Sequence, residues 1–217
     1  MDLQSLFNQA AQSAERGQYQ EAANSYVAFL DAVQGPQDVR SAAFNLAQVF
    51  NKLGDFSQAL RYVELGLSHS PTEFGRAIAL AAKGEALCGL GRTAEGKAAF
   101  NDAARAHPIV GRLNSADSMT RLETEEFWRQ AEEWVDLVLA SFGAQLDEQL
   151  RAEAVVITGK IAARRGNLDQ ARAQFEKALA EYPGFEAAKL QLRLLTQPRD
   201  QGEVSKGGLF SRLFGRK

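Results

Sequence analysis

Glycine returns along this chain at a fixed step. Gly17, Gly54 and Gly91 are 37 residues apart, and Gly166 follows Gly91 after 75, about two further steps. Four of the five prolines, at 36, 71, 108 and 183, keep nearly the same beat, with gaps of 35, 37 and 75. A breaker pair recurring every 20–50 residues marks a stack of like supersecondary units, because one such unit cannot bury its apolar face alone. Between the breakers the chain is rich in alanine, 36 of 217 residues. Alanine is the strongest helix former, so the repeating unit reads as helical.

Four segments align in register: 15–30, 52–67, 89–104 and 164–179. In each, glycine ends one helix, since it takes the left-handed conformation without a Cβ penalty. Gln18, Asp55, Arg92 and Asn167 come next. Asp55 and Asn167 are good N-caps, and Gln58 and Gln170 stand three residues on, as in a capping box. A bulky anchor follows in three units (Tyr19, Phe56, Leu168), with Thr93 in the third. Ala22, Ala59, Gly96 and Ala171 then allow close helix approach. Tyr26, Val63, Phe100 and Phe175 fall four residues later, on the same face. Phe29, Gly66, Ala103 and Ala178 continue that face. Upstream, Ala10, Ala47, Gly84 and Gly159 stand seven residues before the turn glycine, again where two helices meet. Ser70-Pro71-Thr72-Glu73 offers Ser70 as N-cap, proline at N1 and an acid at N3.

This order of small residue, aromatic, small residue and proline around a glycine turn resembles the tetratricopeptide repeat, in its bacterial-type form. The resemblance covers roughly 1–110 and 150–185. It implies an all-α, right-handed helix–turn–helix solenoid over 1–196. Units are expected at about 3–36, 37–73, 74–110, 111–150 (degenerate) and 151–184, with a capping helix at 185–196. Residues 197–217 read as a linker and a short basic amphipathic tail. The step of 37 rather than 34 adds nearly one helical turn, which keeps the buried face in register and lengthens the start of the first helices in units two and three. In the degenerate unit, 120–142 is amphipathic through Phe127, Ala131, Trp134, Val135 and Val138. Its partner, 111–120, is poor helix material, and a short or distorted helix is expected there.

Composition narrows the function. With 25 Lys+Arg against 27 Asp+Glu, the net charge is −2. The basic footprint of a nucleic-acid binder is missing, so no nucleic-acid partner is expected. One cysteine, Cys88, fits a reducing compartment. The first residues lack a basic stretch and an apolar core, so they do not read as a signal peptide. A cytoplasmic protein is expected, with peripheral membrane contact as an alternative.

Chemical motifs dissolve on inspection. Gly91–Lys97 matches GxxxxGK, but Ala98 stands where a phosphate-binding loop needs Ser or Thr, and a helix precedes it. His69 and His107 sit at the ends of second helices, where a donor complements the helix C-terminus. Cys88 has no candidate base nearby in sequence and reads as packing. Glu125-Glu126 and Glu132-Glu133 are adjacent on a helix, so their side chains diverge. No metal, cofactor or catalytic residue is expected, and the chain reads as a non-catalytic adaptor.

The resemblance implies that first helices line a concave groove for a partner peptide or helix. The implied lining is Phe7, Ala11, Phe44, Asn45, Gln48, Asn51, Ala81, Glu85 and Cys88. The family's carboxylate clamp is mostly missing: Phe7, Ala11, Ile78 and Ala82 stand where its other members are required, and Asn45 alone fits. Phe7 and Phe44 make the groove more apolar, or else simply pack between repeats. A second binding element is 208–217. On a helix Leu209, Phe210, Leu213 and Phe214 share one face, and Arg212 and Arg216 another. Residues 199–217 carry five bases and two acids, net +3, which leaves −5 on the rest of the chain. Such a segment suits an anionic lipid surface, a partner groove, or a groove of its own chain or a neighbouring copy. This supports the alternative function, a membrane- or complex-recruitment factor. Partial burial of four apolar side chains gives about 3–6 kcal/mol. Four bases near an anionic surface add about 1 kcal/mol each, and ordering eight residues costs about 8 kcal/mol. A single copy should therefore hold membrane only weakly.

Overall fold

The computed structural model describes residues 2–69 and 72–196, and among them every regular element is a helix, with no strand. They fall into two compact units, Met1–Ser118 and Met119–Lys217.

The first unit is a run of helix pairs. Its helices are α1 (Leu3–Glu15), α2 (Tyr19–Ala32), α3 (Pro36–Leu53), α4 (Phe56–Leu67), α5 (Glu73–Gly89) and α6 (Thr93–Ala106). A seventh, α7 (Val110–Met119), closes it, its last residue falling in the second unit. Each turn glycine takes the left-handed conformation, with φ of 79° at Gly17, 78° at Gly54, 79° at Gly91 and 83° at Gly166. The added turn is real: α3 and α5 have 18 and 17 residues against 13 for α1. Pro36 opens α3 at its first turn, where a missing N–H costs nothing. Helix α7 has ten residues, and Leu113, Ser115 and Ala116 are fully buried.

The core follows the repeat columns. Tyr26, Val63 and Phe100 are at most 2% exposed, and Ala10, Ala22, Ala47, Ala59 and Ala103 are sealed completely. A Cβ built on Gly84 would stand 2.5 Å from the ring of Phe100. The small residue exists because the aromatic of the following helix occupies that space.

Four helix-end expectations are corrected. The N-cap of α5 is Thr72, whose hydroxyl accepts from the Gly75 N–H at 3.2 Å; Ser70 and Pro71 lie outside the described residues. Asp55 does cap α4, accepting from the Gln58 N–H at 3.1 Å, but Asn167 makes no side-chain cap bond. The capping box at Gln58 stays open, because its Oε1 is buried without a hydrogen-bond partner. His107 works in the opposite sense to that expected: its Nδ1 accepts from the Val110 N–H at 3.2 Å, at the start of α7. His69 keeps the expected place, with Nδ1 2.9 Å from the Leu65 carbonyl at the end of α4.

The second unit holds α8 (Glu125–Phe142), a 3₁₀ turn at Gly143–Gln145, α9 (Glu148–Arg164), α10 (Leu168–Glu181) and α11 (Glu186–Thr196). Phe127, Ala131, Val135 and Val138 form the buried stripe of α8, while Trp134 is half-buried. Helices α9 and α10 repeat the packing of the first unit, with Phe175 against Gly159, and α11 covers them through Ala188. Arg165, just past α9, reaches Glu125 at 2.8 Å and Glu132 at 3.0 Å and ties that end of α9 to α8.

Candidate functional site

The candidate groove belongs to the first helices α1, α3 and α5. Helix α3 presents Phe44, Asn45, Gln48 and Asn51, which recur at helical spacing and so share a side of it. Their surroundings differ. Phe44 is 7% exposed, and a Cβ on Gly66 of α4 would fall inside its ring. Asn45 is half-buried, and its side chain hydrogen-bonds the hydroxyl of Tyr26 on α2. Burial pushes the Tyr26 phenol up to about 12, against which the Asn45 bond works. Gln48 is half-buried. Asn51 is buried, donating from Nδ2 to the Ala82 carbonyl of α5 at 2.9 Å, while its Oδ1 has no hydrogen-bond partner.

On α1, Phe7 sits edge-on to Tyr26 at 5.4 Å and to Phe29 at 5.2 Å, so its ring belongs to the α1–α2 core. Ala11, on the same helix, is half-buried. On α5, Ala81 and Glu85 are each 1% exposed. Cys88 faces α6, where a Cβ on Gly96 would collide with its Sγ. Its thiol is pushed up to about 11 by burial first and by the charge of Glu85 second, with Lys97 opposing. A thiol so placed is a poor nucleophile at neutral pH.

Of the nine residues, Phe44, Asn51, Ala81 and Glu85 are buried, and Phe7, Ala11, Asn45, Gln48 and Cys88 are half-buried. Phe44 clusters with Val63 of α4 and with Ala79 and Ala82 of α5, whereas Phe7 packs within its own repeat, on α2. Sequence reasoning missed Lys52, which pairs with Asp117 of α7 at 3.7 Å. Only its place, one residue after Asn51, could have pointed to it. The tail residues Leu209, Phe210, Arg212, Leu213, Phe214 and Arg216 lie outside the described residues. Gly91 and Gly96 of the phosphate-loop match are a turn residue and a helix contact. Among the described residues, no cluster of His, Cys, Asp and Glu could hold a metal ion, and no helix is long and apolar enough to cross a membrane.

Paired helices with a glycine turn and small residues at the crossings define a helical-repeat scaffold. Two segments, 10–72 and 125–185, match the family model described as tetratricopeptide repeat, and together they span more than half of the chain. The chain belongs to the tetratricopeptide repeat family, as a scaffold for protein–protein interaction. Its fold is similar to that of a thermophilic TPR protein from Thermus thermophilus, with a TM-score of 0.59 and 23% identity over 88% of this chain and 96% of that one. A looser likeness links it to YrrB, a TPR protein with an unusual peptide-binding site (TM-score 0.44, 15% identity, 88% of this chain and 92% of that one). A tetratricopeptide repeat protein from Parabacteroides merdae is similarly distant (TM-score 0.44, 18% identity, 90% and 84% covered). No curated protein matches the sequence.

Proposed function

We propose that the first unit holds an extended peptide against α1 and α3, with Ala11, Asn45 and Gln48 as its accessible floor. The observation that carries this reading is the chemistry left accessible on α3. Two uncharged carboxamides, Asn45 and Gln48, stand half-buried on α3, and the short side chain of Ala11 is half-buried on α1. A carboxamide both donates and accepts, so it pairs with a peptide backbone of any sequence. Clamp cations are missing, which leaves little to offset desolvation of a terminal carboxylate. The partner class is therefore an internal, weakly charged peptide segment, and the setting is the cytoplasm.

Peptide panning on the folded protein tests this, with the random segment flanked on both sides so that no free carboxylate is offered. Selected peptides should bind the wild type and lose at least about tenfold affinity with Ala11→Arg or Gln48→Ala. Helicity and thermal midpoint serve as fold controls. Peptides that bind both variants as well as the wild type would remove the groove assignment. Recruitment to an anionic membrane by residues 208–217 is the second reading, favoured by the +3 balance of residues 199–217.

A further inference from the structure

Helix α8 carries an open face that the repeat does not use. Among the described residues five large apolar side chains stand exposed, and one of them, Leu137 (44%), lies on this face of α8; Leu139 (37%) points to a different side of the same helix. Leu137 continues a stripe through Glu126, Gln130 and Glu133, at i, i+4, i+7 and i+11, with Trp134 half-buried at its edge. Gln130 donates to Glu133 Oε2 at 3.1 Å and holds that carboxylate along the stripe. Helix α8 has five acids against one base, Arg129. Arg165 engages Glu125 and Glu132 on another side of the helix and leaves the stripe to Glu133 and Leu137.

We propose that residues 208–217 of the same chain dock on this stripe. The segment is complementary in both respects. Leu209, Phe210, Leu213 and Phe214 match Leu137 and the edge of Trp134, while Arg212, Arg216 and Lys217 face an acidic helix with no acid of their own between 208 and 217. Its reach is sufficient. Residues 197–207 span up to about 35 Å when extended. Helix α8 packs on α9, and α11 packs on α9 and α10, so α8 lies about two helix spacings, or about 20 Å, from α11. Docked there, the four apolar side chains are withheld from water and from lipid. This occupancy is independent of the groove on α1 and α3.

Amide hydrogen exchange on the full chain and on residues 1–207 tests the proposal without touching any described residue. Exchange across 130–141 should be at least about threefold slower in the full chain. Glu133→Lys and Leu137→Asp, both at exposed positions, should each bring the full chain to the rate of 1–207. With Trp128 replaced by phenylalanine, Trp134 reports alone and should be less accessible to acrylamide in the full chain. Equal rates in the two proteins would overturn the proposal. A difference that disappears on dilution would overturn it by placing the segment on a second copy. Protection seen only after adding vesicles of anionic lipid would overturn it in favour of the membrane.

Discussion

Gly84 and Gly159 occupy one place in two repeats and pose the same question of sign. Exchanging an interior helical glycine for alanine ordinarily stabilises by about 1 kcal/mol. Here the new methyl would stand 2.5 Å from Phe100 in one case and 2.5 Å from Phe175 in the other. Both rings are fully buried and have no room to retreat. Overpacking of this kind costs about 1–3 kcal/mol. Gly84→Ala and Gly159→Ala should therefore each destabilise, as a fall in the denaturant midpoint at unchanged slope. A rise in midpoint would show that the rings yield. Two other side chains connect the fold to pH. Cys88 is held up to about 11 and Tyr26 up to about 12. Both groups are neutral when protonated, and unfolding returns them to ordinary values near 9.0 and 10.0. Their contribution is complete below about pH 9 and is lost as pH rises through 11 and 12, because the unfolded chain gives up its protons first. Denaturation midpoints should fall across that window, and Cys88→Ala should remove the lower part of the fall. Alkylation of Cys88 at pH 8 should be much slower in the folded than in the unfolded protein, and equal rates would contradict its burial.

Helix ends separate what the sequence states from what it leaves open. Asp55 and Asn167 hold equivalent positions after a turn glycine, and either residue type is a competent cap. Only Asp55 bonds its helix, so Asp55→Ala should cost about 1 kcal/mol. Asn167 has no side-chain cap bond to lose, so Asn167→Ala should stay within about 0.5 kcal/mol. Paired thermal melts decide it, and equal losses would show that the residue type rather than the observed bond sets the cap. The glycine turns, the small–aromatic columns and the lengthened α3 were legible because each follows from a steric rule acting within one repeat. His107 was not, since its role depends on where α7 begins, and 111–120 carries weak helix signals. For the candidate groove, register places residues on the first helices and does not say which way they face. Phe7, Phe44 and Cys88 stand at the implied positions, but their faces are settled by Phe29, Gly66 and Gly96 on the following helices. The Lys52–Asp117 pair lies 65 residues apart in sequence and has no local signature.

At the scale of the chain, the repeat makes stability local. Each pair packs on its neighbours: α1 with α2, α2 with α3, α3 with α4, α4 with α5, and in the second unit α9 with α10 and α10 with α11. Stability in such an array is close to a sum of unit terms and nearest-neighbour terms, so a defect is felt most where it is made. The division into Met1–Ser118 and Met119–Lys217 sharpens this. Gly159→Ala places its strain between α9 and α10, in the cluster of Phe175, Ala171, Ala178 and Ala188 within the second unit. Hydrogen exchange in that variant should quicken through α9, α10 and α11 and remain unchanged in α1 to α4. Gly84→Ala should do the reverse, quickening α5 and α6 and sparing α10. Local opening that differs between the units would also make heat unfolding broader than one all-or-none step. A uniform rise in exchange across both units, from either substitution, would show instead that the chain unfolds as one cooperative block.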